Sequence, residues 1–263
     1  MKTATILKYQ WKDHLRSKWI IGYALIYLLL TDGLIRFGGA GPKALLSIAN
    51  VILLFVPLVS MIYSALFLYQ SREFIELLLA QPLNRKSLYW GLFGGVSVPL
   101  ALAFLLGTGL PLAYSGILGT SSTMSVILIL CIGLLLTFLF ASLGFVVGLK
   151  FFEDKIIGLG FALVSWLVLA VLYDGLVLLV VYVFGNYPLG KPILALSLVN
   201  PIDLARILIL LKFNISALMG YTGAVFNQFF GTHLGILISG GCLLLWIFIP
   251  LWLGFKVFRR KDF

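Results

Sequence analysis

The chain is expected to be an all-α polytopic membrane protein with six transmembrane helices, both termini cytoplasmic and an amphipathic helix at its N-terminus. Three observations predict this. The first is composition: 62% of the 263 residues are hydrophobic, only 11% are charged, and mean hydropathy is +1.12. A soluble domain is roughly half apolar and about a quarter charged, so this chain has too few charges to cover a soluble surface. The second is the length of the apolar runs, six of which reach the roughly 20 residues needed to cross a hydrocarbon core about 30 Å thick. The third is where Lys and Arg fall between those runs.

Together these exclude a soluble enzyme, a disordered chain and a nucleic-acid binder, despite a formal net charge of +10. The six runs extend from about 19 to 37, 45 to 69, 91 to 118, 125 to 149, 156 to 184 and 236 to 257. They must be helices, because lipid offers no partner for an unpaired backbone group; a lipid-facing barrel would alternate in short segments instead. With the N-terminus inside, 14 of the 19 basic residues are cytoplasmic, and Arg36, Lys43, Lys191, Arg206 and Lys212 are external. Six spans return the basic tail FRRKDF to the cytoplasm. Anionic headgroups suffice as partners for this charge. The basic start of the chain lacks an early apolar core and a small-residue cleavage site, so it is not expected to be a cleaved signal peptide.

The segments between the spans also have readable patterns. In residues 1–18, Leu7, Trp11 and Leu15 form one ridge and Lys8, Lys12 and Arg16 the next, an interfacial helix lying on the inner leaflet. After the second span, Arg72, Glu73 and Glu76 are expected on one side of a short helix and Phe74, Leu77 and Leu78 on the other, with Pro82 ending it and Asn84 capping the next helix. The mixture suits either a surface-lying turn or a segment that docks a soluble protein. The loop KFFEDK, with Glu153 and Asp154, reads as a smaller version of the same device or as a solvated turn.

The long external stretch, about 185 to 235, contains VNPIDLARILILLKF. Asn200 is its helix cap, Pro201 its first residue, and Asp203 complements the positive end of the dipole. At about 12 residues this helix is too short for a seventh span and is expected in the outer interface or dipping back into protein. Ser216 opens a second short helix through Met219. A loop this long with its own helices is a natural landing place for an external partner.

Site chemistry is sparse. Gly185 to Lys191 follows a phosphate-binding loop for seven positions and fails at the eighth, where Pro192 replaces the Ser or Thr that reaches magnesium. Cys131 and Cys242 have no pairing motif, His14 and His233 lie on opposite sides of the membrane, and no HExxH occurs. No span presents the acid, base or nucleophile sets of an enzyme. Gly144 and Gly148 read as close helix packing. Asp174 is the one acid well inside a span; Asp32 and Arg36 lie one turn apart near the outer end of the first span and are placed to pair.

The stretch REFIELLLAQPLNRKSLYWGLFGG, the six spans, the N-terminal pattern and the FRRKDF tail together resemble the permease subunits of ABC-2-type transporters. The likeness covers nearly the whole chain, most specifically at LLLAQPLNR, LVLAVLYDGLVLL and LVNPIDLARI leading to SALMG. It implies one transmembrane domain over 1–263, with residues 71–90 as the loop whose coupling helix fits a groove on a separate ATPase. The ATPase-coupling residues would be Arg72, Glu73, Glu76, Gln81, Pro82 and Arg85, joined by Glu153 and Asp154. ATP would be bound by that partner, leaving this chain without cofactor, metal or catalytic residue, as half of a homodimer in a bacterial inner membrane. Within the family, the likeness is to the branch that works with a periplasmic copper-handling β-helix protein and helps assemble the copper sites of nitrous oxide reductase. External contact would then fall to Asn200, Pro201, Asp203, Arg206 and Met219. The alternative is a generic ABC-2 exporter of a lipid, drug or polysaccharide.

Overall fold

The structure, a computed structural model, describes residues 17–39, 41–80, 84–117, 123–185, 187, 190–213 and 233–261. The expected interfacial helix (its residues 1–16), Gln81, Pro82, Met219 and the helix expected at 216–219 lie outside the described residues. Among those residues the chain is helical and without strands. The spans are α1 (Lys18–Gly38), α2 (Pro42–Gln70), α4 (Arg85–Tyr114), α5 (Thr123–Lys150), a fifth made of α6 (Lys155–Leu167), a π-helical turn (Val168–Leu172) and α7 (Tyr173–Val183), and α10 (His233–Arg260). Between them lie α3 (Arg72–Leu79), α8 (Gly190–Val199) and α9 (Pro201–Lys212). Among the described residues six helices are thus long and apolar enough to cross a membrane.

The third span begins earlier than its apolar run suggests, because Asn84 caps the helix at Arg85: its side chain accepts from the Lys86 N–H at 3.0 Å. It ends at Tyr114, after Pro111, four residues short of expectation.

Helices in lipid gain little from burying apolar surface, so they associate where backbones approach closely. The tightest seam is between α2 and α5. A Cβ at Gly144 would run into the carbonyl of Met61, and one at Gly148 would lie 2.9 Å from the Leu68 side chain and 3.2 Å from the Ala65 Cα. The expected small-residue pair therefore marks the centre of the fold. Gly107 does the same for α4, its missing Cβ leaving room for Ala24 and Tyr27 of α1. Tyr89 joins α4 to α10 by donating to the Leu251 carbonyl at 2.8 Å, within a cluster of edge-on rings from Phe145 and Phe255.

Burial ranks the spans. Over half of the most apolar stretch is buried in α2 (56%), α4 (61%) and α5 (56%), against 17% in the fifth span. That span leans mainly on α2, where the Trp166 indole donates to the Leu54 carbonyl at 3.1 Å, in the turn before Pro57. Its outer part, α7, has no buried residue. The least covered span is also the one interrupted by the π-helical turn.

Candidate functional site

Two groups of polar contacts lie at opposite ends of the bundle. At the cytoplasmic end, three segments remote in sequence meet. Helix α3 buries Ile75 and Leu78, while Glu73, Phe74 and Leu77 face outward, Phe74 and Leu77 being 45% and 61% exposed. This corrects the expected division of faces. A step of 100° per residue puts Leu78 beside Ile75 against the bundle and leaves Leu77 and Phe74 beside Glu73. Arg72 and Glu76 pair along the helix at 2.9 Å, which raises the already high pKa of Arg72.

The Arg72 guanidinium also sits 5.4 Å above the ring of Phe152, which is buried in the loop after α5. The ammonium of Lys261, from the tail, lies 5.0 Å from the same ring and donates to the Leu149 carbonyl at 3.0 Å. Burial pushes the Lys261 pKa down; Glu153 acts against this and Arg72 adds to it. Arg85 completes the knot by donating to the carbonyls of Arg259 (2.9 Å) and Lys261 (3.0 Å). These acceptors belong to the end of α10, where carbonyls lack helical partners and a cation is favoured. Of the expected coupling residues, Arg72 and Arg85 thus enter this knot, Glu76 is paired with Arg72, and Glu73 is exposed. Glu153 and Asp154 lie on the adjoining loop, also exposed.

At the outer end, α8 and α9 form a hairpin bent by 113°. At 10 and 12 residues they are about 15 and 18 Å long, each too short to cross. The bend makes them a re-entrant pair. The expected external helix is α9, and it does dip into protein: Pro201, Ile202, Leu204, Ala205, Ile207 and Ile209 are buried. Helix α8 is not among the elements expected from the sequence, where only its first three residues, Gly190 to Pro192, fall in the phosphate-loop near miss; the apolar run ILALSLV before the cap is the available signal.

Asn200 is fully buried at the elbow and holds it twice. Its carbonyl oxygen accepts from the Ile202 N–H at 3.0 Å, and its amide donates to the Leu169 carbonyl at 2.7 Å. Leu169 lies in the π-helical turn, where the altered backbone pattern presents a carbonyl outside the α ladder. It is also the middle residue of a 29-residue span, so the elbow reaches the centre of the bundle. Further out, Tyr173 donates to the Leu196 carbonyl at 2.6 Å, Arg206 pairs with Asp174, and Asp203 lies 4.0 Å from Arg206. Asp174, read from sequence as a solitary acid, has its partner on the hairpin. Near the outer ends of α1 and α4, Asp32 pairs with Arg36 at 2.7 Å and accepts from the Tyr114 hydroxyl at 2.6 Å.

Six apolar spans, with a short helix that exposes Phe74 and Leu77 at one end and a bent helix pair at the other, define a multi-pass helical membrane protein. No family model matches the chain. It is similar to the "Probable ABC transporter permease protein NosY" of Stutzerimonas stutzeri, 27% identical over 284 aligned positions covering 97% of each chain. It is also similar to the protein of the same name from Pseudomonas aeruginosa PAO1, 29% identical over 281 positions covering 98% of each. The chain is a multi-pass membrane protein, and over nearly its whole length it resembles these ABC transporter permeases.

Proposed function

We propose that this chain is the membrane lever of an inner-membrane ABC complex. Two copies would be driven by a separate ATPase on the cytoplasmic side, which alone binds ATP, and would act on a copper-handling β-helix protein outside. The service performed would be copper-site assembly in nitrous oxide reductase. The name shared by the two relatives, an ABC transporter permease, supports an ABC complex; the copper service rests on the sequence resemblance. The observation that carries the lever is the cytoplasmic knot. Through Arg72, Phe152, Lys261 and Arg85, the short helix α3 is joined to the ends of α5 and α10 and to the start of α4.

A push on α3 would therefore move several spans as a unit. The α2–α5 seam would carry that displacement to the elbow at Asn200, whose hairpin faces the outside. Asn200, Pro201, Asp203 and Arg206 would act on the external partner through the hairpin's position, since their side chains are engaged within the chain. Met219, with the segment beyond α9, would supply direct contact.

The exposed face of α3 is the place to test this reading. Glu76 is a poor target because changing it also releases Arg72. Glu73→Lys with Leu77→Ser alters only outward-facing side chains. The double variant should insert normally, lose co-purification of the ATPase and leave the reductase short of copper. Wild-type ATPase association together with wild-type copper content would refute the lever.

A further inference from the structure

A cleft of about 470 Å³ lies beneath the elbow, between α5 and α10, and its lining is almost wholly apolar. Leu198 and Val199 of the hairpin form its roof, Leu143 and Val146 one wall, and Trp246 and Leu253 the other. On α10 the lining runs from Cys242 through Leu245 and Trp246 to Leu253, on both sides of the helix's midpoint, while on α5 Leu143 and Val146 lie within the last two turns before Lys150.

Both walls run down to cations. On α10, Trp246, Ile249, Leu253, Lys256 and Arg260 recur at three- and four-residue intervals and so form one stripe. On α5, Leu143 and Val146 are followed at the same spacing by Lys150. Lys150, Lys256 and Arg260 are exposed, and among the described residues no carboxylate pairs with any of them. Lys150 and Lys256 rest over the rings of Phe151 and Trp252, which leaves their charge available. Beyond Leu253, the last lining residue on α10, Lys256 and Arg260 follow after about 5 and 10 Å at 1.5 Å per residue, and Lys150 follows about 6 Å beyond Val146 on α5. An apolar cleft with three exposed cations one to two helical turns beyond its cytoplasmic end fits a molecule with an apolar tail and an anionic head.

We infer that this cleft is a binding site for an anionic phospholipid of the inner leaflet, its acyl chain under the elbow and its phosphate at Lys150, Lys256 and Arg260. The lipid props the hairpin from below, so its presence bears on the position of Asn200 and the segment beyond.

The test uses the purified full-length chain, stripped of lipid in detergent and offered equal amounts of phosphatidylglycerol and phosphatidylcholine, with retained lipid counted by native mass spectrometry. Cations near a membrane surface each contribute roughly 1 kcal/mol toward anionic lipid, so phosphatidylglycerol should be retained about tenfold or more over phosphatidylcholine. Lys150→Gln with Lys256→Gln and Arg260→Gln should bring that ratio near one. Leu245→Trp, which enlarges a cleft side chain that is 56% exposed, should abolish retention with the cations intact. Leu143→Trp is the second filling variant, for use if the first does not accumulate. Equal retention of the two lipids by the wild type overturns the inference. So does a preference that survives the triple exchange, or one that survives both filling variants, which would place the lipid on surface cations alone. Efficient Cys242–Cys242 cross-linking between copies, showing that a second chain fills the cleft, overturns it as well.

Discussion

The two ends of this molecule are held by contacts of the same chemical kind placed in opposite surroundings. At the cytoplasmic end, cations meet helix-end carbonyls and one aromatic ring where water is at hand. At the outer end, an amide, a phenol and a guanidinium meet a carbonyl, another carbonyl and a carboxylate inside the bundle. Near water, such a contact exchanges easily, because each group can be hydrated as the partners move apart. Within the membrane, water is a scarce substitute for a separated partner, so unmaking a contact costs more. The cytoplasmic knot is therefore suited to being pushed, and the outer hairpin to staying latched until enough force arrives. All three outer bonds fall on the segment from Leu169 to Asp174 of the least buried span, so a movement confined to that span would release the whole hairpin.

The harshest way to break the comparison is to disconnect the ends. Gly144→Leu drives a side chain into the Met61 backbone at the α2–α5 seam. Overpacking a tight site costs about 1–3 kcal/mol and more where backbone must yield, so a large fall in thermal midpoint in detergent is expected. Gly175→Val, on the open face of α7 where a Cβ meets nothing within 4 Å, is the control and should stay close to wild type. Asn200→Leu comes next. It removes a helix cap and the donor to the Leu169 carbonyl, for a combined loss of about 2–3 kcal/mol. Hydrogen exchange should rise at amides of α8, α9 and the π-helical turn while the α2–α5 seam stays protected. Uniform exposure throughout would show that the elbow is not a separate latch.

The cap at Asn200 and the spans were legible because both rest on local chemistry: an Asn before Pro-Ile-Asp, and apolar runs of the right length. What stayed hidden depends on distant partners. Asp174 looked solitary because Arg206 lies 32 residues away on a helix that had to fold back to reach it. Arg85 was assigned to docking, with no sign in the sequence that its guanidinium holds the carbonyls of a tail more than 170 residues later. The outward face of α3 was misjudged because, in an eight-residue helix with five apolar residues, pattern alone does not say which of them the bundle covers. The π-helical turn left no pattern either: LVLAVL is an ordinary apolar run, and the Asn200 amide that bonds its Leu169 carbonyl comes from 31 residues away.

The ion pair of the hairpin should show a smaller effect than the elbow. Asp174 and Arg206 are each about one-third exposed, so the full penalty for orphaning a buried charge does not apply. Asp174→Asn should cost about 1–2 kcal/mol, reflecting partial desolvation. Asp203, 4.0 Å from Arg206, is placed to take up some of the released charge. A cycle with Arg206→Gln tests the pairing: the double variant should lose less than the two single losses added together. Strict additivity would mean that Asp174 and Arg206 do not hold the hairpin jointly.

The smallest effect on stability, and the one that most sharpens the contrast, is expected at Arg85. Its two bonds reach carbonyls at a partly hydrated helix end, which water can satisfy in its absence, so Arg85→Gln should cost no more than about 1 kcal/mol. The thermal midpoint would move by a few degrees, and the outer hairpin should keep its protection from hydrogen exchange. If the knot transmits motion, function should fall out of proportion to that cost: α3 would still dock the ATPase, while the end of α10 would no longer follow it. ATP hydrolysis by the assembled complex should then continue at a rate near wild type with little accompanying change at the outer face, read by a fluorescent label placed beyond α9. Lys261→Met, which removes the ammonium bridging Phe152 and the Leu149 carbonyl, should reproduce the same split. If either variant lowers hydrolysis and outer movement in equal proportion, the tail is only a structural tie, and the force must pass from α3 into α2 alone.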